Sequence, residues 1–372
     1  MTFSFARFLG ALAALVAWVA PLHAERWQLQ YFYDKNKSSL AIGDLCFASA
    51  VRGVAVGTIH EGSRQRPVAL VTSDAGAHWQ LVPLKEEPVS LFFLNENIGW
   101  MVTDRGLWRT TEAGKSWSKM PRVPAQIFRV YFRDEKNGWA TGVRKTVFET
   151  HDGGERWTRV AAAGEQPGKA ETSAYGPIAF ATPELGIIIG WNQPPERLFE
   201  PRLPAWMDPE AALKHKELPH LSLSLETHDG GKSWKSSSGS IFGQITRLRF
   251  GPPGRGLGLI EYSDSFTYPS EVQLIRWPTG GSQIVYRDKA FAVTDVWVTP
   301  DGTGYLSGLV VQGELRSLAP GKVKVLRSRD LAIWTDLEVD YRAVANRTTL
   351  SAAGDHDIWL ATDTGMILKL AQ

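Results

Sequence analysis

The sequence predicts an all-β chain folded as a seven-bladed β-propeller of four-stranded antiparallel blades, and three observations carry that expectation. An eight-residue turn signature recurs at TSDAGAHW (72–79), TTEAGKSW (110–117), THDGGERW (150–157) and THDGGKSW (227–234), with a shorter form, SRDLAIW, at 328–334. Its acidic positions 74, 112 and 152 stand about 40 residues apart, a period that marks repeated sheets. A second pattern, a small or acidic turn leading into a strand with an early tryptophan, recurs as NIGWMVTDRG (97–106), NGWATGVRK (137–145), LGIIIGWN (185–192) and DIWLATDTG (357–365).

Each signature follows a β-rich run such as TVFE or LSLSLE and precedes another strand, so it reads as the hairpin between the third (c) and fourth (d) strands of a blade. The residue types suit that place. An Asp side chain accepts hydrogen bonds from turn N–H groups, the Gly takes positive φ without steric cost, and the Trp opens the outgoing strand with a large apolar surface to bury. The structural set is Asp74, Glu112, Asp152, Asp229 and Asp330 with Trp79, Trp117, Trp157, Trp234 and Trp334. Glu112 is one methylene longer and is expected to make the looser turn. Acids that recur once per blade belong around the periphery rather than in one pocket, so no catalytic, metal or cofactor site is expected from them.

Strands counted by these marks give blades at about 41–84, 89–121, 127–161, 175–238, 245–288 and 293–340. The fourth is long because 193–220 reads as an insertion, with Asp208 and Pro209 starting a short helix. A whole extra blade is the alternative there, but no second set of strands is visible. The fifth has lost the signature, and WPTGG at 277–281 takes over its turn. Residues 348–372 supply only three strands. ERWQLQYF at 25–32 begins with the tryptophan expected of a fourth, so the N-terminal strand is expected to complete the last blade and close the ring, which removes exposed sheet edges.

Residues 1–24 carry one cation, Arg7, an apolar run from Phe8 to Ala20 and a break at Pro21, and read as a secretory signal cut after Ala24. An uncleaved anchor is the alternative, but the run is short of the roughly 20 residues of a membrane span. The propeller then occupies 25–372 as an exported, periplasmic or thylakoid-lumen-like soluble protein. With 41 basic against 39 acidic side chains, nothing favours nucleic acid as a partner. A lone Cys46 allows no internal disulfide, so stability must come from apolar burial.

The turn signature resembles the Asp-box, or bacterial neuraminidase repeat, with its pattern Ser/Thr-x-Asp-x-Gly-x-x-Trp. Together with G-W-A-x-G, T-x-D-G-G-x-x-W and terminal ring closure, most of the chain from residue 25 on resembles the photosystem II stability/assembly factor family. That resemblance implies an exported, non-enzymatic seven-bladed scaffold that helps a membrane complex to assemble. Blade five and the long insertion depart from the regular pattern.

Sialidases share the box, so a glycoside hydrolase or glycan-binding propeller is the alternative. Sialidases use a Tyr nucleophile with a Glu, an acid Asp and three arginines. Their Arg-Ile-Pro signature is absent, and Phe128-Arg129-Val130 is a misplaced approximation to it. Glu261 and Tyr262 are adjacent in sequence and so point to opposite faces of a strand. Zinc-ligand spacings, nucleophile elbows and phosphate-binding loops are missing as well.

One surface stands out in charge. In a propeller the loops between strands b and c lie on the face opposite the box turns. Here they carry Arg64, Arg66, Arg105, Arg144, Lys145, Arg197 and Arg202, then Arg316 and Lys322 in blade six. Trp206, in the insertion, adds an apolar anchor, as Trp and Arg favour binding hot spots. The expected partner is a protein, a membrane-complex subunit or another acidic segment, with anionic lipid headgroups or an acidic glycan as alternatives. A monomer is expected.

Overall fold

The computed structural model describes residues 25–371 apart from 36, 194–218, 253, 263–265, 278 and 312–319. Strands follow one another as short antiparallel ladders. The first four-stranded sheet holds Ser38–Phe47, Gly53–Glu61, Arg64–Thr72 and Gln80–Pro83. Four more such sheets start from the innermost strands Pro88–Phe93, Ile127–Phe132, Ser173–Phe180 and Gln244–Phe250. A nine-stranded sheet contains the last two blades. One is built from Phe291–Val298, Gly304–Val310, Gly321–Ser328 and Thr335–Val339. The other holds Thr348–Ala353, Asp357–Thr362 and Met366–Ala371, with the N-terminal Arg26–Phe32 as its outermost strand.

Arg26–Phe32 is the joint of the ring. It pairs antiparallel with Met366–Ala371, from Arg26 opposite Ala371 to Phe32 opposite Met366, and its start also pairs in parallel with Thr335–Val339. Trp27 is buried in this joint, and Glu25 forms an ion pair with Arg327 of blade six. Each innermost strand packs on the next, and Thr348–Ala353 packs on Ser38–Phe47, so the circuit closes.

The core consists of the interfaces between blades, and seven apolar clusters match seven interfaces. Trp359 and Ile367 of blade seven meet Leu40 and Phe47 of blade one, and Trp100 and Val102 of blade two meet Val130 and Phe132 of blade three. Aromatic pairs stitch the seams. Phe47 stacks on Trp359 of the preceding blade, with centroids 3.6 Å apart, and meets Trp79 of its own blade edge-on at 5.9 Å. Phe132 repeats this with Trp100 and Trp157. The outermost strands of blades two and three, Ser118–Lys119 and Thr158–Arg159, are only two residues long, which leaves little unpaired edge.

A short helix at Ala161–Glu165 and a 3-10 turn at Ala170–Thr172 link blades three and four, at a place that carries no helix signal in the sequence. They stay short because Gly164, Pro167 and Gly168 interrupt the run. The helix is held by packing, with Ala163 buried and its carbonyl accepting the Tyr175 hydroxyl at 3.3 Å.

Candidate functional site on the propeller axis

The box acids lie in their own turns. Asp74 Oδ1 accepts the His78 N–H at 2.9 Å and the Thr72 hydroxyl at 2.8 Å, while Thr72 Oγ1 accepts the Gly76 N–H at 3.0 Å. Asp152 and Asp229 accept the N–H groups of Arg156 and Ser233, each at 2.9 Å, and Asp330 those of Ala332 and Ile333. Glu112 takes the Ser116 hydroxyl at 2.5 Å, and among the described residues no main-chain N–H reaches its carboxylate. These donors stabilise the anions. Asp74 is lowered to about 2, chiefly by the His78 N–H, and Asp330 to about 2, chiefly by the Ile333 N–H. The Ser233 hydroxyl and N–H lower Asp229 to about 2, and the Arg156 N–H leads the fall of Asp152. Trp79, Trp117, Trp157, Trp234 and Trp334 are partly buried beside the turns.

The loops between strands b and c are less basic in space than in sequence. Arg64 is exposed. Arg66 stands 3.7 Å from Glu61, Arg105 3.3 Å from Asp104 and Arg144 3.6 Å from Glu171, so each has an acidic neighbour. Lys145 corrects the expectation outright. It is buried, its ammonium bonded to the Gln166 carbonyl between blades three and four, and it presents no charge to a partner. The cause is local: Arg144 and Lys145 both have positive φ, and this turn directs the second side chain inward. Arg197, Arg202, Trp206 and Arg316 lie outside the described residues.

Charge converges instead on the axis. Arg129 of blade three lies within electrostatic range of Asp44 of blade one, Arg247 and Arg249 of blade five and Asp295 of blade six. Blades that are not neighbours bring charges together only across the central channel. The two carboxylates there are engaged in the frame. Asp44 accepts the N–H of Leu45 at 2.9 Å and that of Leu91, in the next blade, at 2.8 Å. Asp295 accepts the N–H of Val296 at 2.9 Å and that of Leu350 at 2.8 Å, with Arg247 Nε 3.2 Å away. Both tie one inner strand to the next, following a register shift in their own strand.

Three guanidiniums thus face two carboxylates. Among the described residues no carboxylate stands within ion-pairing distance of Arg129 or Arg249. Burial, then repulsion from Arg247, lowers Arg129 to about 10. It keeps its proton at neutral pH, but its cation is poorly compensated. Arg249 lies over Trp297 at 5.1 Å, and its Nε is buried with no hydrogen-bond partner. The chemistry such a cluster offers is anion binding. In the sequence Arg129 stands out only as part of a misplaced sialidase-like triplet, and Arg247 and Arg249 belong to no recognised motif. The alternation in TRLRF, with two arginines two residues apart on an inner strand, was the available signal.

Glu261 and Tyr262 do not form a nucleophilic pair. Glu261 takes Arg347 at 2.9 Å, while the Tyr262 hydroxyl donates to the buried Glu271 at 3.0 Å. Burial raises the Tyr262 pKa, with Glu271 adding to it, so this phenol holds its proton. Among the described residues no group of three His, Cys, Asp or Glu is arranged to hold a metal ion, and no helix is long and apolar enough to cross a membrane.

No protein-family model and no curated protein matches this sequence. Solved structures do. YCF48 bound to D1 peptide aligns over 94% of this chain and 97% of its own, at 15% identity and a TM-score of 0.61. YCF48 from Cyanidioschyzon merolae aligns over 93% and 98%, at 15% identity and a TM-score of 0.58. This chain is a β-propeller. An ancestral GH74 enzyme also matches, over 92% of this propeller but 46% of the enzyme, at 12% identity and a TM-score of 0.55. At these identities the likeness is one of fold, and propellers of different activity share it.

Proposed function

We propose that this propeller is an exported, non-enzymatic scaffold that binds an acidic segment of a protein partner, as an assembly or stability factor for a membrane-associated complex. The observation that carries the reading is the excess of positive charge on the axis, where Arg129 and Arg249 have no carboxylate within ion-pairing distance among the described residues. A carboxylate there gains charge-assisted hydrogen bonds in a partly desolvated channel, where they are strongest. The peptide-bound state of one similar propeller supports the same reading. So does the chemistry of the acids: the box carboxylates are held ionised in their turns, and those of the channel are engaged by main-chain N–H groups. Export rests on the signal-like residues 1–24, which lie outside the described residues.

The test is titration of the folded chain with a dye-labelled oligoglutamate peptide. Binding should weaken steeply with salt, and Arg129→Gln with Arg249→Gln should weaken it by about ten-fold or more. Arg64→Glu with Arg144→Glu should leave it nearly unchanged. If the loop pair abolishes binding and the axial pair does not, the partner sits on the loop face. Absence of binding, or turnover of a sialoside or aryl glycoside, overturns the reading. Capture from solubilised membranes by the same variants then identifies the complex.

A further inference from the structure

Where the innermost strands of blades five, six and seven end, on the box-turn side of the channel, they enclose a cavity of about 420 Å³ lined by Phe250, Pro252, Trp297, Pro300 and Ala352. That size lies near the lower end of ligand pockets, suited to one bulky side chain or a short stretch of peptide. Its walls are a flat indole and two pyrrolidine rings, surfaces that pack well against another ring. Next to the lining residue Phe250 is Arg249, whose guanidinium lies over Trp297, whose buried Nε has no partner and whose terminal nitrogen donates to the Leu248 carbonyl at 3.4 Å. The strand residue two before it, Arg247, lies one step deeper along the channel.

The two ends of the channel differ. On the side of the b–c loops, Arg347 is paired with Glu261. On the box-turn side Arg249 has no carboxylate within ion-pairing distance among the described residues, and an apolar cavity, with Asp301 and Asp355 next to its rim residues Pro300 and Gly354, leads to it. The geometry points to this mouth as the entry for an aromatic side chain flanked by carboxylates, in an extended segment of a partner protein. The ring stacks on Trp297 between Pro252 and Pro300, and the neighbouring carboxylate meets Arg249. This rests on the functional reading above and adds to it an anchor residue and a face, the one opposite the loops that carry Arg64 and Arg144.

A random peptide library displayed on phage and selected on the folded chain tests it. Enriched peptides should place Phe, Tyr or Trp next to Asp or Glu. Trp297→Ala should weaken their binding by about ten-fold or more, the range of a buried aromatic hot spot. Pro300→Asp alters an exposed rim residue and should repel the same peptides without lowering the melting temperature, so a loss there is not a loss of fold. Enriched peptides without aromatic residues, or binding unchanged in both variants, overturn the anchor. If Arg129→Gln and Arg249→Gln weaken acidic peptides while both mouth variants bind normally, the axial reading stands and this inference falls. If no peptide is enriched, both fall.

Discussion

At the scale of single residues, the box turn acts mainly as a clasp between blades. A Cβ on Gly231 would come within 2.0 Å of Trp139 in the preceding blade, and its φ is +87°. Gly231→Ala therefore combines a left-handed backbone with overpacking and should cost roughly 2–4 kcal/mol in chemical denaturation. The same substitution at the exposed Gly239, whose Cβ would meet nothing within 4 Å, should cost far less. The acids make a second prediction. Asp74, Asp229 and Asp330 have folded pKa values near 2, below the ordinary range. A depressed carboxylate contributes stability that is fully present above its unfolded value and lost as pH falls through the folded one. Melting temperature should thus hold above about pH 4 and fall toward pH 2, more shallowly in an Asp74→Asn, Asp229→Asn, Asp330→Asn triple variant, and equal slopes would refute the assignment. The spacing of these residues was legible because each blade repeats it. Arg129, Arg247 and Arg249 were not, because three strands far apart in sequence meet only once the ring is closed.

At the scale of elements, the N-terminal strand carries more than its length suggests. Arg26–Phe32 joins blade seven to blade six, and Trp27 sits in the seam between them among Val323, Leu350 and Leu368. Trp27→Ala should destabilise by about 3–5 kcal/mol, as buried aromatic truncations do. Deleting 25–32 should expose the edges of Met366–Ala371 and Thr335–Val339 and produce self-association, readable by light scattering. A deletion variant that stays monomeric with an unchanged melting temperature would show that the ring closes without it. The sequence made this strand legible through a simple deficit, three strands at one terminus and a spare at the other. Its parallel contact with blade six was not legible, since pairing between adjacent blades follows from how closely their rims approach. The helix at Ala161–Glu165 was hidden for a related reason: five residues have too little intrinsic helical preference to register, and that linker is held by the packing of Ala163, the Tyr175 and Lys145 bonds to its carbonyls and the bonds from Gln166 Nε2 to the carbonyls of Ser224 and Ser237.

At the scale of the whole molecule, a closed ring opens first at its least buried seam, because local opening costs follow the apolar area exposed. The seam between blades four and five is the poorest. Its buried members are Ala179, Ile187, Ile189 and Leu248, with Phe250 and Ile275 only partly covered. Blade five is also the one whose turn, 277–281, lost the box: Trp277 still meets His228 of blade four at 5.8 Å, but Gly280 and Gly281 have nothing within 4 Å of a Cβ. The seams on either side of blade seven are fully packed, with Trp359, Ile367 and Leu368 inaccessible. Amide exchange should therefore be fastest, among the innermost ladders, in Gln244–Phe250 and Arg255–Glu261, and slowest in Met366–Ala371. The position of the weak seam bears on binding, since Arg247, Arg249 and Phe250 belong to the blade that borders it. A ligand that bridges Arg249 and Trp297 ties blade five to blade six, so a peptide selected on the axial mouth should slow exchange in Gln244–Phe250 more than in any other inner strand. Uniform protection around the ring, or a first opening at the N-terminal joint, would show that stability is not set by the seams and that the axis is not where the ligand acts.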